Sequence, residues 1–219
     1  MISGLEEKTL YAGIDESNHG RPNEIHAAVF SYDAQDTLED FFVKPKGSVG
    51  RRKAFGEVKQ KSLDYSFVLI PKEIRENFQK YGLRGAVVAS LLQGLDPNSF
   101  GKLEIYLDGD WKSAHLADAQ KYSAEVLDIS PERISLKARK KADITKKIVY
   151  HAHCVATYLY RGMINIHALD KDEHQKKIYL PETYNLLHRP KKHKKPIEKI
   201  HSIRINHLTK ESSSQYRLK

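Results

Sequence analysis

Cysteine is nearly missing: Cys154 stands alone in 219 residues. One cysteine forms no intramolecular disulfide and supports no multi-cysteine zinc site. That fits a reducing compartment, and a cytoplasmic location is expected. Long apolar runs are missing too. No stretch of about 18 apolar residues occurs, so no membrane-spanning helix is expected. The first residues, MISGLEEKTLYAG, lack a basic stretch followed by an apolar one, and no secretory signal is expected. Neither a Gly-x-Gly-x-x-Gly nor a Walker-type loop is present, which argues against a dinucleotide enzyme or a nucleotide-driven motor. The absence of Gly-x-Ser-x-Gly argues against an α/β-hydrolase.

What the chain does have is a core and an uneven charge. Hydrophobic residues make up 40% and charged residues 30%, which suits one large globular domain. The net charge is +9, but it is not spread evenly. From Arg189 to the end, ten basic residues face two acidic ones, which places +8 in the tail and leaves +1 for residues 1–188. Arg189, Lys191, Lys192, Lys194 and Lys195 form its densest part, and Pro190 and Pro196 bracket that part against a regular helix. A nearly neutral body with a basic arm points to a polyanionic partner, nucleic acid first, while a solvated tail is the plainer alternative. We therefore divide the chain into a domain over 1–165 and an extension over 166–219.

Hydropathy patterning predicts strands over 9–14 and 24–32, joined by the turn material His19-Gly20-Arg21-Pro22-Asn23, so the pair reads as a hairpin. Asp15-Glu16-Ser17-Asn18 is expected to stop the first strand. Residues 44–61, with Lys, Gly, Pro and Arg and no clear period, read as a long exposed connection. A third strand covers 63–70, and Pro71 opens a helix. Val87, Val88, Leu91, Leu92 and Leu95 mark a second helical run. Then come a strand over 102–107, a helix over 112–127, a strand over 133–138 and a helix over 144–161. The order β-β-β-α-β-α-β-α predicts an α/β fold: a mixed five-stranded sheet flanked by helices.

Carboxylates stand where strands end. Asp15-Glu16 follows the first strand, Asp108 the fourth, and Asp143 the fifth, at the start of the last helix. Strand ends in an open sheet converge on one rim, where ligands bind. Converging carboxylates repel unless cations neutralise them, and hard divalent ions, Mg²⁺ or Mn²⁺, prefer oxygen ligands. Two such ions roughly 4 Å apart activate water and stabilise the leaving oxygen in phosphodiester hydrolysis. Taken singly, each acid has a plainer role: Asp143 as a helix N-cap, Asp108-Gly109 as a turn, Asp15-Glu16 as a strand stop. Asp110 competes with Asp108 for the ligand position. His151 and His153, two apart on a helix, point about 200° apart and do not readily share one metal; that leaves one of them free to face the carboxylate rim and assist proton transfer, with a satisfied or solvent-facing histidine as the plainer reading. Cys154 reads as core packing. Arg139, Lys140, Lys141 and Lys146 flank Asp143, as phosphate contacts or as lysines guarding an edge strand. Trp111 stacks on a base or covers a helix start.

Three motifs carry a resemblance over residues 8–160. YAGIDESNHG at 11–20, IYLDGDW at 105–111 and KKADITKKIVYHAHCVA at 140–156, in this strand order, resemble the ribonuclease H superfamily, most closely type 2 ribonuclease H. The resemblance implies that Asp15, Glu16, Asp108 and Asp143 bind two Mg²⁺ or Mn²⁺ ions and carry the catalysis. It implies cleavage by an activated water that leaves a 3′-hydroxyl and a 5′-phosphate. It places Asn18, His19 and Gly20 where the family's Gly-Arg-Gly reads the ribose, with only the last glycine kept. The small residues of the family's last helix stand here as Tyr150, His151 and His153.

The expected function is thus a metal-dependent endonuclease acting on the RNA strand of RNA–DNA hybrids, as a monomer, with nucleic acid as partner and no membrane. Two alternatives stay open: a nuclease of the same fold acting on DNA or RNA alone, and a non-catalytic nucleic-acid-binding module.

Overall fold

The computed structural model describes residues 8–17, 24–70, 84–162 and 174–176. Five strands form one sheet in the order β3-β2-β1-β4-β5. They are β1 (Thr9–Ser17), β2 (Glu24–Ser31), β3 (Asp64–Ile70), β4 (Lys102–Asp108) and β5 (Ile134–Arg139). The β1–β2 and β2–β3 pairs are antiparallel, and the β1–β4 and β4–β5 pairs are parallel. The mixed five-stranded sheet matches the expectation.

Alternation explains the layering. In β4, Leu103, Ile105 and Leu107 point to one face, and Glu104, Tyr106 and Asp108 to the other. In β1, Leu10, Ala12 and Ile14 share the first face, which leaves Tyr11, Gly13, Asp15 and Ser17 on the second. The helices α2 (Arg84–Leu91) and α3 (Ser113–Leu127) cover the first face. The helices α1 (Gly47–Gln60) and α5 (Lys147–Gly162) cover the second, and the short α4 (Ala142–Thr145) leads into α5. Each fully buried side chain such as Phe67, Ile105 or Ile148 contributes roughly 1.5–3 kcal/mol relative to exposure. The edge of β3 is partly covered: the Phe67 N–H donates to the His174 carbonyl at 3.0 Å, and the Lys176 N–H to the Phe67 carbonyl at 2.7 Å.

Three expectations need correction. Residues 44–61 are not a connection throughout, because α1 occupies most of them. Its apolar stripe is only Ala54, Phe55 and Val58, and three glycines weaken its intrinsic preference. Packing decides instead: Phe55 stacks on Tyr158 of α5 at 4.2 Å between ring centroids. The first strand does not stop before Asp15. It runs to Ser17, because β2 keeps pairing with it (Asp15↔Ala27, Ser17↔Ile25) beyond its last rung with β4 (Ile14↔Leu107). The last helix breaks at Lys146, which adopts extended backbone between α4 and α5. The helix expected from Pro71 lies outside the described residues, as do Asn18, His19, Gly20 and the arm residues Arg189, Lys191, Lys192, Lys194 and Lys195.

His151 faces inward from α5. It is buried, and its Nδ1 finds no hydrogen-bond partner among the described residues. Burial, with Lys61 and Lys147 adding to it against the opposing charge of Asp36, lowers its pKa to about 4. An unfolded histidine takes its proton near pH 6.5. The unfolded state therefore binds more protons between pH 6.5 and 4, and this residue's contribution to stability is lost as pH falls through that window. Asp15, raised to about 6, acts oppositely below pH 6, so the wild-type profile hides both. The stability of His151→Leu relative to wild type should rise by about 2–3 kcal/mol between pH 7.5 and 4.5. Urea denaturation with EDTA at the two pH values measures this, and a pH-independent difference refutes it.

Candidate active site

The site is built at the rim where β1 and β4 end. Parallel neighbours point paired residues to the same side. One step beyond the Ile14↔Leu107 rung, Asp15 and Asp108 both project toward α5. Asp143 reaches the same place as the second residue of α4, just past the turn that follows β5. Lys141 takes left-handed backbone there (φ 62°), which turns the chain back toward β4. The Asp143 N–H then donates to Asp108 Oδ1 at 3.4 Å. Asp143 is therefore not the N-cap of α4; Lys141 holds that position, and Asp108 serves the exposed N–H from across the turn.

His153 arrives from α5. Gly13 lets that helix come close: a Cβ built on it would stand 2.4 Å from the Ile148 backbone. From Ile148 to His153 is five helical residues, about 7.5 Å of rise. From Gly13 to Asp15 is two strand residues, about 6.7 Å. Contact at Gly13 thus sets His153 beside Asp15, and His153 Nδ1 lies 2.7 Å from Asp15 Oδ2 and 3.9 Å from Asp143 Oδ2. Thr157 Oγ1 lies 3.3 Å from His153 Nε2, so the second ring nitrogen is engaged as well.

Lys44 comes from the connection between β2 and α1. That connection is held along α4, with the Asp40 and Phe42 N–H groups donating to the Thr145 and Ile144 carbonyls at 3.2 and 2.9 Å, and with Phe42 stacked on Tyr150. The Lys44 ammonium forms an ion pair with Asp143 Oδ2. Burial acts to lower its pKa, but the hydrogen bond and charge of Asp143, with Asp15 and Asp108 behind, prevail and raise it.

The electrostatics are those of crowded acids. Asp15 and Asp143 are both buried. Burial pushes Asp15 up to about 6; the His153 hydrogen bond opposes this, and the charges of Glu16 and Asp108 add to it. Asp108 is raised by burial and by the charge of Asp143. Glu16 points to the opposite face of β1 from Asp15, yet its charge is felt by both. Among the described residues, Asp15, Asp143 and His153 form one group whose ligand atoms all lie within 4.8 Å of one another. Two carboxylates and an imidazole that close, with an ammonium drawn onto one of them, are a donor set that fits a divalent cation.

Of the other candidates, Asp110 lies apart: it is exposed and pairs with Lys140 at 2.6 Å. Arg139 pairs with Glu39 at 2.9 Å, and both are exposed. Lys140 and Lys141 are exposed too. Lys146 is turned inward, donating to the Thr37 carbonyl at 2.7 Å and lying over the Tyr106 ring. Trp111 packs against the first-face core: its indole N–H donates to the Asp108 carbonyl at 3.0 Å, and Arg84 lies over its ring. Cys154 is buried, and burial pushes its thiol up to about 12, which leaves no nucleophile there.

No protein-family model matches the chain, and no curated protein does. Solved structures do. A structure of the PCNA–RNase HII complex from Archaeoglobus fulgidus contains a chain that matches at 17% identity over 96% of both chains, with a TM-score of 0.50. The chain has a ribonuclease H-like fold. Two structures of Bst-RNase HIII, one a point variant and one in complex with Mn²⁺, match over 75% of this chain at 14% identity, with TM-scores of 0.49 and 0.48. The chain spans 55% and 56% of those proteins. Within the ribonuclease H-like fold, Lys44 and His153 are the site residues that sequence reasoning left out of its set. Gly13, two residues before Asp15 on the same face, was the one local signal of a helix approaching there. Lys44 had none.

Proposed function

We propose that the chain is a metal-dependent endonuclease that hydrolyses phosphodiester bonds, with the RNA strand of an RNA–DNA hybrid as its substrate. The observation that carries the reading is the convergence of buried Asp15 and Asp143 with His153 at the strand-end rim of a ribonuclease H-like fold. Asp15 and Asp143 would hold one divalent ion, Mg²⁺ or Mn²⁺, and Asp108 would serve a second, while Glu16, turned to the other face of β1, contributes its charge to the rim. Such ions supply an activated water and stabilisation of the leaving oxygen. The chain's own residues do the rest. The His153 contact fixes one oxygen of Asp15. The Asp143 N–H orients Asp108. Exposed Arg139, Lys140 and Lys141 lie along the same rim as phosphate contacts. Their ion pairs with Glu39 and Asp110 are exposed and weak, so phosphate displaces them at little cost. The basic arm from Arg189 onward adds backbone affinity, which should fall steeply with salt.

The test is cleavage of a labelled panel with Mg²⁺, Mn²⁺ or EDTA. The panel holds an RNA–DNA hybrid, a DNA duplex with one embedded ribonucleotide, plain DNA duplex and single-stranded RNA. Metal-dependent cutting confined to the ribonucleotide-containing duplexes is expected. Cutting of DNA or free RNA instead replaces the substrate assignment, a result that Asn18-His19-Gly20 in place of Gly-Arg-Gly would rationalise. Salt-sensitive binding with no cutting under any metal overturns the enzyme reading.

A further inference from the structure

We infer that His153 is itself a metal ligand, and that its nitrogen makes the site select a first-row transition ion such as Mn²⁺ over Mg²⁺. The inference rests on the metal-dependent reading above and goes beyond it in naming the ligand and the selectivity. Three observations support it. His153 Nδ1 lies 2.7 Å from Asp15 Oδ2 and 3.9 Å from Asp143 Oδ2. Adjacent ligands on one octahedral ion of this size stand about 3 Å apart. All three donors lie within 4.8 Å of one another, so shifts of less than about 2 Å bring them onto one ion. The second observation lies outside that triangle: Thr157 Oγ1 engages Nε2 at 3.3 Å, which leaves Nδ1 directed at the carboxylates. Ligating histidines characteristically have their other nitrogen held in this way. The third is that the site already draws a cation, since Lys44 pairs with Asp143 while its own side chain stays about half exposed (49%) and free to withdraw.

Selectivity follows from the donor. Mg²⁺ is hard and binds oxygen, whereas imidazole favours transition ions. An all-carboxylate rim would discriminate weakly between Mg²⁺ and Mn²⁺; one imidazole in the first sphere changes that.

The full chain is titrated calorimetrically with MgCl₂ and with MnCl₂, and the Mn²⁺ form is examined by pulsed EPR for directly bonded ¹⁴N. Mn²⁺ should bind at least about tenfold more tightly than Mg²⁺, with imidazole nitrogen coupling in the spectrum. His153→Ser should abolish that coupling and lower the Mn²⁺-to-Mg²⁺ affinity ratio roughly tenfold. His153→Asp should keep metal binding through an oxygen donor while losing the nitrogen signal and the preference. Circular dichroism confirms that both variants are folded. Mn²⁺ bound without nitrogen coupling, or an unchanged ratio in His153→Ser, overturns the ligand assignment and leaves the metal-dependent reading standing. Failure of the wild type to bind either ion overturns both.

Discussion

Asp143→Asn should lose metal-dependent cleavage by roughly 10³-fold, about 4 kcal/mol in the chemical step, while nucleic-acid binding without metal stays near wild type. The size follows from the place. Asp143 is buried and adjoins His153, Asp15 and Asp108. Asparagine keeps the shape and removes the charge that would hold the ion. Stability tests the same residue from the other side. Asp143 repels Asp108, so neutralising it relieves like-charge crowding. Lys44, the lysine paired with it, is about half exposed and contributes little. In EDTA the melting temperature of Asp143→Asn should therefore be unchanged or higher. A residue that merely supported the turn would behave the opposite way, with a lower melting temperature and unchanged cleavage. Initial rates on the preferred panel substrate and thermal melts of one preparation decide between them. An active variant with a depressed melt would sink the metal-ligand role.

The parts of the fold that depend on local alternation were readable in the sequence. KLEIYLD in β4 alternates cleanly and ends on the acid that faces the site, and the match of strands and helices from 102 to 139 is close. The choice between Asp108 and Asp110 was not local. It depends on Gly109, whose φ of +92° turns the chain after the last strand residue and sends Asp110 out to Lys140. Helix α1 was hidden because its glycines and basic residues weaken every local signal, and only its contact with α5 makes it a helix. The carboxylates were visible as charges at the ends of apolar strands. Lys44 was not, because it is one lysine among many, and only the run of residues 40–42 along α4 brings it 99 positions along the chain to Asp143. His153 lay between these cases. Its placement was implied by Gly13, but only once α5 was known to cross β1 at that point.

Gly13→Ala should be the most damaging single-methyl change in the described core. The added Cβ would stand 2.4 Å from the Ile148 carbonyl carbon and oxygen and 2.7 Å from the Val149 nitrogen. These are backbone atoms of a helix, so no side chain can swing aside, and α5 as a whole must lift from the sheet. Overpacking usually costs about 1–3 kcal/mol, and a clash against backbone belongs at or above the upper end. The lift also falls where it harms the site. Ile148, Val149 and Ala152 are buried against β1 and β2, and His153 sits on the next turn. Moving α5 away by even about 1 Å opens the Asp15–His153 contact, whose geometry depends on that approach. Gly13→Ala should therefore show a denaturation midpoint lower by the equivalent of about 3 kcal/mol and, at temperatures where it is still folded, weaker Mn²⁺ binding than wild type. Gly56→Ala is the matched control. It changes a helical glycine with nothing within 4 Å of the new Cβ, and relief of helix entropy should make it neutral or stabilising by up to about 1 kcal/mol. If the two variants unfold at the same denaturant concentration, α5 does not pack on β1 through Gly13, and the placement of His153 at the carboxylates falls with it.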